Sequence, residues 1–97
     1  MQARVARYEV SVDRSDEAVQ AFVDSAKAIA EMDGFDSGFV LVDSETGETM
    51  TITFWESGAA ADASATHAAS ARRRAVDAVD GEVQSVQSFD VVRAFGS

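Results

Sequence analysis

The segment 34–57 constrains the fold of this chain more than any other part of the sequence. It contains two runs of strand-forming residues, 39–42 and 49–55, and a short polar stretch with one glycine, Gly47, lies between them. Two such runs joined by four or five polar residues are typical of a β-hairpin. We therefore predict two antiparallel strands here, with the loop around Gly47.

The two strands of this hairpin differ in how their apolar residues are spaced. In the second strand, Met50, Ile52 and Phe54 share one face, and threonines share the other with Trp55. In the first strand apolar side chains occupy both faces, and such a strand is usually covered on both sides. The chain's own helices can cover one side. A second copy of the protein is the simplest cover for the other, so we predict a homodimer.

The rest of the sequence predicts two further strands and two helices. Residues 4–12 alternate as a strand with Tyr8 on its apolar face, and residues 15–34 carry apolar side chains at helical spacing. Residues 59–79 form a second, alanine-rich helix that Gly81 ends, and residues 82–95 form a last strand. The order β-α-β-β-α-β is the ferredoxin-like arrangement of an α+β fold.

Local signals bear on where these elements begin and bend. Ser15 and Ser57 are predicted N-caps, because a serine hydroxyl there accepts a hydrogen bond from a free amide of the first turn. The second helix either runs unbroken or breaks near residues 65–66, among polar side chains that weaken a helix. The last strand either contains a β-bulge near residues 87–88 or is buried on both faces.

The composition limits the class of protein. A chain of 97 residues is enough for one domain, which we predict over residues 1–97. The net charge of −9 argues against nucleic acid and anionic membranes as partners, since both are negatively charged. Cysteine is absent, so disulfides and cysteine metal sites are excluded. The N-terminus lacks the apolar segment of a signal peptide, and we predict a cytoplasmic protein.

The element order and two short motifs resemble one known family. The motifs Gly-Phe-Asp-Ser-Gly-Phe at 34–39 and Thr-Phe-Trp-Glu-Ser at 53–57 are similar to those of the antibiotic biosynthesis monooxygenase (ABM) branch of the dimeric α+β barrel superfamily. The resemblance covers essentially the whole chain. It implies a homodimer whose two sheets meet face to face, with any ligand cleft between each sheet and its own helices. That branch includes cofactor-free oxygenases of polyketide-like phenols and haem-degrading monooxygenases.

The residues that the haem-degrading members use are missing from this chain. Those members have an asparagine on the first strand, and a tryptophan and a haem-ligating histidine on the second helix. This chain has no asparagine, its single tryptophan is Trp55 on a strand, and its single histidine, His67, precedes the ligand position near Arg73. We therefore predict no haem site, no metal site and no cofactor.

Two side chains are candidates for acid–base chemistry. His67 is the only imidazole, the side chain that most often moves protons near neutral pH, but it has no identified partner and either serves as a base or points to solvent. Tyr8 either orients a phenolic ligand or only packs in the core. The Arg72–Arg73–Arg74 run fans out around the helix, so these side chains are interpreted as solvated or paired with nearby acids such as Asp77. A phosphate site is the alternative, and the acidic composition argues against it.

The alanine-rich second helix leaves two possibilities for the space between helix and sheet. It either packs closely on the sheet or leaves a gap for an apolar ligand. In the second case we predict that the gap lies over Tyr8 and is lined by a set of aromatic, aliphatic and small residues: Phe39, Leu41, Ile52, Phe54, Trp55, Ser64 and Ala68.

These observations give two hypotheses for function, beside the possibility that the chain is a structural member of the fold with neither role. The first is a small cofactor-independent monooxygenase that acts on an aromatic or polyketide-like molecule, with His67 and Tyr8 as catalytic residues. The alternative is a non-catalytic homodimer that binds a small apolar ligand or regulates a partner.

Overall fold

Four strands and two α-helices alternate along the chain in the predicted order. The computed structural model describes residues 1–96, with the following bounds: β1 Gln2–Glu9, α1 Ser15–Ala30, β2 Phe35–Val42, β3 Glu48–Trp55, α2 Gly58–Ala78 and β4 Glu82–Asp90. The strands form one antiparallel sheet in the order β2-β3-β1-β4. The fold is the ferredoxin-like β-α-β-β-α-β arrangement.

Both helices pack on the same face of the sheet. Tyr8 and Ala6 of β1 are buried with Phe22 of α1 and Val76 of α2 in one core cluster. The ring centroids of Tyr8 and Phe22 lie 4.5 Å apart. A second cluster gathers Trp55 with residues of both helices. We call this covered side the helix face of the sheet and the other side the open face.

The hairpin has the predicted form, with a five-residue loop between Val42 and Glu48. The Asp43 carboxylate accepts a hydrogen bond from the backbone amide of Glu45 at 2.9 Å, which stabilises the turn. Gly47 has a φ of +78°, and a Cβ there would clash with the carbonyl oxygen of Val10. No residue but glycine therefore fits where the loop meets the end of β1.

The helix starts agree with one predicted cap and contradict the other. Ser57 caps α2, since its hydroxyl accepts a hydrogen bond from the amide of Ala60 at 3.1 Å. Ser15 is not the cap of α1, because a 3₁₀ turn over Val12–Arg14 leads into the helix and moves the cap to Arg14. The Ser15 hydroxyl instead donates to the carbonyl of Val12 at 2.8 Å. α2 runs unbroken through residues 65–66.

Strands β1 and β4 both end earlier in the sequence than predicted. β1 stops at Glu9, and Val12 lies exposed in the 3₁₀ turn rather than on the strand. β4 stops at Asp90, and its irregularity lies at Gln84, because Val83 pairs with Tyr8 while Ser85 pairs with Arg7. The predicted bulge near residues 87–88 was therefore placed too late in the strand.

The open face of the sheet carries exposed apolar side chains. Phe39 is 59% exposed, Leu41 47% and Phe89 49%. Phe39 packs edge to face on Phe54, with ring centroids 6.3 Å apart. Within residues 1–96, no helix is long and apolar enough to cross a membrane.

Candidate functional site

The strand register separates the predicted ligand residues onto two faces of the sheet. Tyr8 pairs with Thr49, and Thr51 pairs with Val40, so the threonines of β3 lie on the helix face. Phe39 pairs with Ile52, and each is the strand neighbour of a residue on the helix face, Val40 or Thr51. Phe39 and Ile52 therefore point to the open face, together with Leu41 and Phe54. The predicted grouping of these four residues over Tyr8 is therefore wrong, because side chains alternate along a strand.

A cleft opens between α1 and strands β2 and β3. Its volume is about 340 Å³, within the range of small-molecule sites. Most of its wall is apolar, and Phe22, Ile29, Phe35 and Val40 contribute to it. Phe39 and Ile52 also border it, although their register places their side chains on the open face. A gap of the predicted kind thus exists, but under α1 rather than under the alanine-rich α2.

The polar groups of the cleft wall come mainly from β3. Thr51 and Thr53 line it, and the Thr51 hydroxyl lies 3.1 Å from the hydroxyl of Tyr8, within hydrogen-bond distance. Tyr8 is fully buried and does not line the cleft. Burial raises the pKa of the Tyr8 phenol, and the bond with Thr51 and the positive charge of Arg72 oppose this shift. Tyr8 therefore reaches the cleft only through Thr51.

Trp55 lies behind the cleft wall rather than in it. It is fully buried, and its indole Nε1 donates to the Thr53 hydroxyl at 3.0 Å. The Phe35 ring meets the indole edge to face at a centroid distance of 5.6 Å. Trp55 thus supports two cleft residues, Thr53 and Phe35.

Arg4 is buried beside Trp55. Its guanidinium lies 5.4 Å from the centre of the indole, and Nη2 donates to the carbonyl of Ala61 at 2.6 Å. Nη1 donates to the Ser64 hydroxyl at 3.4 Å. Burial lowers the pKa of Arg4, the charge of Arg72 lowers it further, and Asp62 opposes the shift. Ser64 is therefore engaged in the core and is not a cleft residue.

Ala68 and His67 also lie outside the cleft. Ala68 is fully buried and packs with Ile29, Trp55, Ala61 and Ala71. His67 is exposed and borders a separate groove beside Asp33. No cluster of three or more potential metal-binding residues occurs in the part of the chain that the structure describes.

Most of the cleft residues were not predicted from the sequence, among them Thr51, Thr53 and Arg72. The threonines alternate along β3, which is the signal that places them together on one face. Arg73 and Arg74 are exposed as predicted, but Arg72 is half-buried and lines the cleft, so its interpretation as a solvated side chain is wrong. The sequence indicates this position of Arg72 by its spacing: Arg72 follows Ala68 by four residues, about one helical turn, so both lie on the inner side of α2.

Comparisons with known proteins agree with this architecture. A family model described as "Antibiotic biosynthesis monooxygenase" matches residues 1–78. None of the curated proteins matches the chain.

Three solved structures illustrate the shared fold. A candidate antibiotic biosynthesis monooxygenase from Deinococcus radiodurans is 17% identical with a TM-score of 0.79, over 100% of this chain and 98% of that one. SnoaB, a cofactor-independent oxygenase from Streptomyces nogalater, is 16% identical with a TM-score of 0.78, over 99% and 97%. MhuD, a heme-degrader from Mycobacterium tuberculosis solved with two hemes, is 24% identical with a TM-score of 0.74, over 99% and 100%.

Proposed function

Because the chain belongs to the antibiotic biosynthesis monooxygenase family, we propose that it is a cofactor-independent oxygenase of an aromatic, polyketide-like small molecule. The cleft between α1, β2 and β3 is the proposed substrate site. The observation that carries this proposal is the largely apolar cleft of about 340 Å³, with the Thr51 and Thr53 hydroxyls in its wall. An apolar wall with a few placed polar groups suits a flat ring system that carries oxygen substituents.

The proposed reaction converts a methylene group between two aromatic rings into a carbonyl group. Loss of one proton gives a carbanion that the rings stabilise, and this carbanion transfers electrons to O₂. One oxygen atom enters the product, and the other leaves as water with the two methylene hydrogens. The substrate supplies all four electrons, so no reductant is consumed. The protein's part is to bind the ring, exclude water and stabilise the anion.

The residues of the cleft suggest how the protein performs that part. Thr51 is proposed to hydrogen-bond a substrate oxygen while Tyr8, bonded to it at 3.1 Å, fixes the direction of its hydroxyl. Among the described residues that line the cleft, the ionisable ones are Lys27 and Arg72. Proton loss then depends on the acidity of the substrate itself, which a nearby positive charge increases. His67 has no role in this proposal because it lies outside the cleft.

Haem does not fit the residues of this cleft. A haem iron needs an axial ligand, and histidine is the residue that some relatives of this fold use. His67, the single histidine, borders another groove, and the guanidinium of Arg72 has no lone pair to offer. We expect no specific haem binding, and titration with haemin checks this: a saturable Soret shift at one equivalent per chain would contradict it.

We further propose a homodimer formed through the open face of the sheet. The exposed Phe39, Leu41 and Phe89 on this face support it, because a single small domain gains stability by burying such a surface. A cytoplasmic location is also proposed, and the lack of cysteine is compatible with a reducing compartment.

A second function fits the same cleft. The cleft wall contains no carboxylate or imidazole among the described residues, which is compatible with a protein that binds an aromatic ligand without converting it. The alternative proposal is therefore a non-catalytic ligand-binding or regulatory dimer.

Oxygen consumption separates the two functions. The purified protein, treated with EDTA, is mixed with anthrone in air-saturated buffer, and O₂ uptake and quinone formation are followed together. The oxygenase proposal predicts one O₂ consumed per quinone formed, at a rate that saturates with anthrone. If anthrone binds saturably but O₂ uptake equals that of buffer alone, the oxygenase proposal fails and the binding protein remains.

A further inference from the structure

The charges that line the cleft have the opposite sign from the protein as a whole. The chain has 17 acidic and 8 basic residues, Asp+Glu against Lys+Arg. Among the described residues of the cleft wall, however, the charged ones are Lys27 of α1 and Arg72 of α2, and both are positive. An acidic protein thus presents a positively charged cleft.

Arg72 has no anionic partner among the residues that the structure describes. Among residues 1–96, Arg7 and Arg14 form salt bridges with acidic side chains, whereas Arg72 forms neither a salt bridge nor a side-chain hydrogen bond. It is half-buried, so part of its hydration is lost without replacement by a carboxylate.

A second buried cation strengthens the positive potential at this place. Arg4 is 6% exposed, and the hydrogen-bond acceptors of its guanidinium are a carbonyl and a hydroxyl, both neutral. Arg4 and Arg72 are close enough for their charges to repel, and the carboxylate of Asp62 offsets part of the positive charge at Arg4. An arrangement of this kind favours a bound anion, because an anion would relieve the repulsion and replace the water that Arg72 has lost.

We propose that the ligand of the cleft is an aromatic carboxylate, whose carboxylate group binds Arg72 while its ring lies against the apolar wall. This inference rests on the proposed function for the location of the ligand and adds the chemical class. The planar guanidinium can form two parallel hydrogen bonds with a carboxylate. Lys27 supplies a second positive charge on the opposite helix.

The test compares two probes of the same shape by titration calorimetry at neutral pH. 2-Naphthoate carries a carboxylate, and 2-naphthamide replaces it with a neutral amide of nearly equal size. The wild-type protein is expected to bind 2-naphthoate about tenfold more tightly than 2-naphthamide, which corresponds to about 1.4 kcal/mol. This preference is expected to shrink as salt is added.

Three variants assign the preference to Arg72. Arg72→Gln is expected to remove the preference for 2-naphthoate and leave binding of 2-naphthamide unchanged. Arg73→Gln is the matched control, since it removes the same charge from the neighbouring, exposed position, and it should keep the preference. Arg72→Lys retains the charge and should keep part of the preference, which guards against a folding defect in Arg72→Gln.

The outcomes separate this inference from the proposed function. If both probes bind equally, or if Arg73→Gln lowers 2-naphthoate binding as much as Arg72→Gln, the carboxylate assignment is overturned while the cleft remains a ligand site. If neither probe binds saturably, the cleft is not a site for aromatic ligands, and both proposals are overturned.

Discussion

The hydroxyl oxygens of Tyr8 and Thr51 lie 3.1 Å apart, and this contact links the buried core to the cleft. Tyr8 is fully buried against Phe22, whereas Thr51 is partly exposed in the cleft wall. Each hydroxyl can donate or accept, so the direction in which Tyr8 points its proton sets what Thr51 offers to a ligand.

The two single substitutions that break this contact are expected to lower the stability by different amounts. Thr51→Val leaves the buried Tyr8 hydroxyl without its partner and should lower the free energy of unfolding by about 1–3 kcal/mol. Tyr8→Phe removes the buried hydroxyl itself and should have a smaller effect. In urea unfolding, the double variant is expected to be no less stable than Thr51→Val alone. A double variant whose loss equals the sum of the two single losses would show that the hydroxyls do not interact.

The ionisation of Tyr8 is expected to be shifted to high pH. Burial raises the pKa of the phenol above its ordinary value of 10.0, so the folded protein holds this proton more tightly than the unfolded chain does. The associated stability is complete below the unfolded pKa and is lost as pH rises towards the folded pKa. Tyr8 is the only tyrosine, so tyrosinate absorbance reports it alone. A midpoint at or below 10 in the folded protein would contradict its burial.

The face of β3 that meets the helices could not be predicted from hydrophobicity. Met50, Ile52 and Phe54 are more apolar than the threonines, so they are the expected core of an isolated chain. The structure turns the threonines and Trp55 inward instead, where hydroxyls bond Tyr8, Trp55 and backbone. By contrast, the hairpin loop and the Ser57 cap are determined by residues close in sequence, and both were predicted correctly.

Arg4 shows a second limit of sequence reasoning. An arginine near the start of a strand is expected at the surface, since buried charge is rare. Its partners, the carbonyl of Ala61, the hydroxyl of Ser64 and the ring of Trp55, come from distant parts of the chain. These partners meet Arg4 only when the helix and the strands pack together, so the sequence around Arg4 does not indicate its burial.

Ala68 provides a test of the packing of α2. It is fully buried beside Trp55 and does not line the cleft. Ala68→Leu should overpack this cluster and lower the free energy of unfolding by about 1–3 kcal/mol, with a change in Trp55 emission. Binding of an aromatic probe should persist. Ala69→Leu is the control, because Ala69 is exposed on the same helix. Equal stability of the two variants would show that Ala68 is not packed as described.

The open face of the sheet provides a test of the proposed dimer. Light scattering of the wild-type protein at micromolar concentration should give twice the mass of the chain. Phe39→Asp places a charge on this face and should shift the protein towards monomers. Val19→Asp is the control, since Val19 is also exposed but lies on α1. A monomeric wild-type protein would refute the dimer, and equal effects of the two variants would refute its location.

Closing the cleft tests the central claim most directly. Ala26 lines the cleft from α1, so Ala26→Trp should fill it, and the matched Ala69→Trp should place the same side chain on the exposed surface of α2. The measurement is anthrone-dependent O₂ uptake by the wild-type protein and both variants. We expect saturable uptake by the wild-type protein and Ala69→Trp, and at least about a tenfold lower rate in folded Ala26→Trp, since the substrate no longer fits. Equal uptake by Ala26→Trp and the wild-type protein would contradict the assignment of this cleft as the site of the reaction.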